Sequence, residues 1–111
     1  MTQNGMHPIQ FRRLIFEEGF EERDEYETPL KGWRGDVLVE LSDGTRYRLS
    51  FFDPVRLAQE LDAEVESGNP FLAEPGLIVL QRVTRENMER AALELCKRGF
   101  FETLRPIETK S

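Results

Sequence analysis

The chain has 111 residues, 39% of them hydrophobic, and its 15 basic and 21 acidic side chains leave a net charge of −6. That length supports one core and not two, and an acidic chain without a basic stripe argues against nucleic acid, whose binding draws on lysine and arginine to neutralise phosphate. A single cysteine, Cys96, excludes an internal disulfide and any zinc site built on several thiolates. No apolar run approaches the roughly 18 residues of a membrane span, and the N-terminus lacks a secretory layout, so the expected address is the cytoplasm, as in a bacterium.

In chain order, residues 1–7 read as a flexible tail, residues 8–104 as one domain and residues 105–111 as a second tail. The run "PIQFRRLIF" is rich in Ile and Phe and favours a strand, with Glu17-Glu18-Gly19 as a turn. A helix there would set Glu17 and Glu18 against its own dipole.

The segment from 17 to 27 comes next. It holds Glu17, Glu18, Glu21, Glu22, Asp24, Glu25 and Glu27 against Arg23 alone, which is six net negative charges. The other 14 acidic and 14 basic residues cancel, so the chain's whole net charge is a local field. A calcium loop would need alternating Asp or Asn around a central glycine, and that pattern is missing. Two readings stay open: a solvated connection, or a surface that draws in a basic partner. The stretch from 18 to 34 is longer than most connections in compact domains.

"GDVLVELSDGTRYRLSFF" reads as a hairpin. A two-residue Asp43-Gly44 turn would set Leu41 opposite Arg46, whereas a three-residue turn with Gly44 in a G1 bulge pairs Val39 with Tyr47 and Val37 with Leu49. The bulged turn is the one expected. It also places Glu40, Arg46 and Arg48 on the outer face as a solvated charge ladder.

Asp53 then caps a helix that starts at Pro54 and stops near Gly68, with Leu57, Ala58, Leu61 and Val65 as its apolar stripe. "LIVLQRV" reads as a buried strand. Thr84 caps a second helix carrying Met88, Ala91, Ala92, Leu95 and Cys96 at helical spacing, which Gly99 ends, and "FFETL" reads as a short last strand. The doublets Phe51-Phe52 and Phe100-Phe101 point one ring of each pair to either face of a sheet, so one ring per pair needs cover from a loop or a partner.

Few residues can carry chemistry. His7, the only histidine, lies in the first tail, where nothing holds it for acid-base work. Cys96 falls on an apolar helix stripe, the usual place of a packed cysteine. N-capping accounts for Asp53, and turns, bulges and caps account for the glycines, so no phosphate cradle is found. "WRGD" contains by chance the tripeptide Arg-Gly-Asp associated with integrin ligands, in a chain with no secretory layout.

The expected fold is a single α+β domain, mainly an antiparallel sheet of about four or five strands with two amphipathic helices mostly on one face. The expected function is non-catalytic binding of a basic protein, in the manner of an inhibitor or immunity-like protein, through Glu21, Glu22, Asp24, Glu25, Trp33 and Phe52. No cofactor, metal, nucleic acid or membrane is expected. Two alternatives remain: a small-ligand binder or enzyme using Asp36 and Glu40 with Arg46 and Arg48 on the outer sheet face, and a structural homodimer.

Overall fold

The central hairpin organises the sheet. In the computed structural model, which describes residues 8–107, strands β2 (Trp33–Leu41) and β3 (Arg46–Phe52) pair antiparallel, with Val39 opposite Tyr47 and Val37 opposite Leu49. This is the register of the bulged turn: Gly44 takes a φ of 86°, and the Leu41 N–H donates to the Thr45 carbonyl at 2.9 Å. Strand β1 (Phe11–Phe16) adds antiparallel to β2 with Leu14 beside Val39, and the Gly19 N–H returns to the Phe16 carbonyl in the expected turn. Helix α1 (Glu22–Lys31) connects β1 to β2. On the other side of the hairpin, β4 (Leu77–Val79) pairs parallel with β3. Parallel neighbours need a long crossover, and helix α2 (Pro54–Glu66) supplies it.

The result is a single α+β domain with a four-stranded, mostly antiparallel sheet in the order β1-β2-β3-β4 and three helices. Its core lies on one sheet face, where Val37, Val39, Leu49 and Phe51 meet Val83 and the buried side chains Met88 and Ala92 of helix α3 (Arg85–Lys97). Thr84 caps α3 as expected, its Oγ1 accepting the Asn87 N–H at 3.0 Å. Leu38 and Phe52 are buried outside that cluster, and strand alternation assigns them to the opposite face. The sheet centre is therefore covered on both sides.

Four expectations need correction. "FFETL" is not a strand: Phe100–Thr103 form a 3-10 turn, in which side chains do not alternate, so Phe101 buries against Tyr47 at 5.1 Å between ring centres while Phe100 packs on the same core. "LIVLQRV" is not a buried strand, because only Leu77–Val79 pair and Val79 is exposed at the sheet edge. Two helices become three, since the acidic run from Glu22 onward folds into α1. Finally, α2 does not bury its stripe in the core: none of its residues is buried, and it makes no extensive contact with another element.

The backbone is still engaged at Ile107, whose N–H donates to the Arg46 carbonyl at 2.7 Å. Residues 1–7 and 108–111 of the expected tails lie outside the described residues. No helix among the described residues is long and apolar enough to cross a membrane.

Candidate functional site

The acidic run is built to be a helix despite its like charges and Pro29. Glu21 and Asp24 cap each other's backbone N–H groups at the N-terminus, with the Glu21 N–H donating to Asp24 Oδ2 at 2.8 Å. Glu22, Asp24 and Glu25 occupy the first turn, where the positive end of the helix dipole favours them, and Lys31 occupies the last. Gly32 ends the helix at a φ of 69°, and a Cβ there would meet the Asp53 carboxylate at 2.5 Å. Helix α1 therefore stops where the cap of α2 begins.

One arginine fastens this helix to the sheet. A bulge in β2 between Arg34 and Val37 puts Asp36 at a φ of 56°, the only positive φ outside glycine among the described residues. Aspartate is one of the few residues that visit this region. Arg34 Nε donates to Asp36 Oδ1 at 3.2 Å, Nη2 donates to the Gly19 carbonyl at 2.6 Å, and Nη1 lies 3.7 Å from Asp24 Oδ1. The guanidinium also lies over the rings of Phe16 and Phe20, at 5.1 and 5.4 Å from their centres. Turn, helix and bulge are thus tied to one side chain that is almost wholly covered.

Beside this junction lies a cleft lined by Glu18, Asp24, Thr28, Lys31, Trp33 and Asp36. Asp36 Oδ2 is buried next to it with no hydrogen-bond donor from the protein, the one such side-chain atom among the described residues. Trp33 lies on Gly35, where an added Cβ would meet its ring at 2.8 Å, and Arg56 stacks on it at 5.5 Å. Its carboxylates, Glu18, Asp24 and Asp36, outnumber its cations, Lys31 and Arg34. Neither histidine nor cysteine lines it.

The expected partner residues divide. Glu21, Glu22 and Glu25 are exposed on α1, and Trp33 is partly exposed beside it. Asp24 is at this face but is engaged by Arg34 and the Glu21 N–H. Phe52 is 4% exposed and pairs with Trp33 in the sheet, so it cannot serve a partner; the face to which alternation sends it is closed. Two residues were missed. Tyr26 and Leu30, one helical turn apart, are 74% and 72% exposed on the outer side of α1. Their spacing of four is visible in the sequence once the run is read as a helix.

The alternative charged site does not assemble. Glu40 is not on a solvated ladder: it is 5% exposed, with Arg13 Nε at 2.7 Å from one oxygen and Arg46 Nη2 at 3.1 Å from the other. The hydrogen bond from Arg13 holds its carboxyl below the usual range against the opposing cost of burial, and Arg46 adds to the effect. Arg48 pairs instead with Glu17 at 2.6 Å, and Asp36 pairs with Arg34. The four residues fall into three separate ion-pair groups rather than one convergent cleft.

Cys96 is half-buried on the core, and burial, with a smaller contribution from the Asp43 charge, pushes its thiol up. That is the reverse of an activated thiolate. Asp53 caps α2 by accepting the Arg56 N–H at 2.7 Å. His7 lies outside the described residues. Among the described residues no group of three His, Cys, Asp or Glu side chains is placed to hold a metal ion. No family model, curated protein or solved structure matches the chain.

Proposed function

We propose that this chain is a non-catalytic protein-binding module that receives a basic partner on the outer face of α1. The observation that carries this reading is the pairing of Tyr26 with Leu30: two large, exposed apolar side chains on an acidic helix anchored from behind by Arg34. Tyrosine is enriched at binding hot spots, and a helix already ordered spends little further entropy on docking. The surrounding field of Glu21, Glu22 and Glu25 would steer a basic surface toward it. A lysine or arginine of the partner would also meet the carboxylates of Glu18 and Asp24 at the adjacent cleft. An inhibitor-like or immunity-like role fits by analogy of size and charge.

The test is affinity capture of a partner, identified by mass spectrometry, at low and high salt with two variants. Tyr26→Ser with Leu30→Ser removes the apolar pair, and Glu22→Gln with Glu25→Gln removes the field while sparing Asp24, which the helix needs. Capture should fall with either variant and with salt. Capture that is indifferent to both variants overturns the reading.

A further inference from the structure

Helix α2 carries a second surface, separate from α1. Its stripe, Leu57, Ala58, Leu61 and Val65, recurs at helical spacing and yet lies outside the core cluster: Leu57 is half-buried, Leu61 is 39% and Val65 54% exposed. The side that does touch the protein is mixed, with Arg56 donating to Glu60 Oε2 at 2.9 Å and to the Lys31 carbonyl. Beside the stripe, Leu57, Leu61 and Leu72 line a groove whose rim is Phe71, 63% exposed. The helix cap, the proline at its first position and the crossover all hold this element in place, but no residue of the helix is buried by the described residues.

Charge says what can cover it. From Leu57 to Gln81 the chain has five acids, Glu60, Asp62, Glu64, Glu66 and Glu74, and no lysine or arginine. Only Glu60 among them has an ion-pair partner among the described residues. A second copy docking α2 on α2 across a two-fold axis would bring these acidic flanks together, and like charges in contact are destabilising. We propose that the α2 groove is a docking site for an amphipathic helix of a partner protein that carries leucine-like anchors at positions i, i+4 and i+7 between flanks of lysine or arginine. Thirteen residues give α2 a length of about 20 Å, enough for a partner helix of three or four turns. Anchors at that spacing meet Ala58, Leu61 and Val65, and the basic flanks meet Asp62, Glu64 and Glu66.

The proposal is tested on the whole protein with synthetic peptides: a leucine-striped helix with lysine flanks, the same helix with glutamate flanks, and a scrambled lysine peptide. Binding is read by fluorescence anisotropy at low and high salt, alongside light scattering of the protein alone. The lysine-flanked helix should bind about tenfold or more tighter than either control, and Leu61→Lys with Val65→Lys should remove that margin. Those positions are exposed, so the variant folds, which circular dichroism checks. Independently, Asp62→Lys with Glu66→Lys leaves the stripe intact and should shift preference toward the glutamate-flanked helix. The Tyr26→Ser, Leu30→Ser variant should bind the lysine-flanked helix as the unaltered protein does, so that this site and the α1 face fail separately. Equal binding of the three peptides, no binding at all, or insensitivity to the stripe variant overturns the proposal. So does a dimer of the protein alone that Val65→Lys dissociates, which would assign the groove to a second copy.

Discussion

Helices α2 and α3 have the same length of 13 residues, each begins on a side-chain cap, and each carries a clear apolar stripe. Their fates differ. Helix α3 lays Met88 and Ala92 into the core with no exposure, whereas α2 buries no residue and leaves Leu61 and Val65 toward solvent. Periodicity says that a helix has a face to cover, and it is silent on what covers it. In α3 the sheet does so; in α2 the acidic flanks point to something basic outside the chain.

That contrast can be broken most severely in α3. Met88→Ala should cost about 2–5 kcal/mol in denaturant unfolding, the usual range for emptying a buried site, while Leu61→Ala in α2 should cost less than about 1 kcal/mol. Comparable losses at the two positions would erase the difference between a core helix and an uncovered one.

A second test concerns Glu40, the buried carboxylate of β2 that Arg13 and Arg46 hold from the neighbouring strands, again a feature of the packed part of the molecule. The pKa of Glu40 is lower folded than unfolded, so its contribution is full above the ordinary value of 4.5 and is lost as pH falls below that through the folded value. Stability measured across that acid range should decline, and Glu40→Gln should flatten the decline while lowering stability at neutral pH by leaving Arg13 and Arg46 without their carboxylate. An unchanged slope would mean that this carboxylate is not held as described. Asp43, lowered by the Thr45 N–H in the turn, acts in the same direction and should be compared through Asp43→Asn.

Smaller effects sharpen the same picture on the surface helices. Asp24→Ala removes a helix cap and one partner of Arg34, and thermal melts should show a loss of about 1–2 kcal/mol. Its neighbour Glu25 makes neither contact, so Glu25→Ala should stay within about 0.5 kcal/mol. Equally small, Val65→Ser should leave stability within about 0.5 kcal/mol, because that side chain is 54% exposed.

The parts of the fold that were legible in the sequence are those set by near neighbours. Hairpin register followed from strand parity and one glycine, and the starts of α2 and α3 followed from Asp53 and Thr84, which cap within three residues of themselves. What escaped depends on distant partners. Glu40 is buried because Arg13, 27 positions earlier, reaches it from β1. Helix α1 is held by Arg34 from the following strand and is capped by Glu21 and Asp24 rather than by serine or threonine, while Pro29 and the dense acids argue locally against a helix. Of the site, the exposed acids and Trp33 were visible in the composition. Tyr26 and Leu30 became visible only with α1, and Phe52 was misassigned because alternation gives a residue's face but not what lies over that face.

Hydrogen–deuterium exchange of the free protein, resolved to single helices, most directly separates a helix held by the core from one held for a partner. Amides in the middle of α3 should exchange only through global unfolding, and those of α2 from Leu57 to Val65 should exchange much faster through local opening. Protection of α2 equal to that of α3 would show that its apolar face is already covered, and would contradict the reading of α2 as an open docking surface.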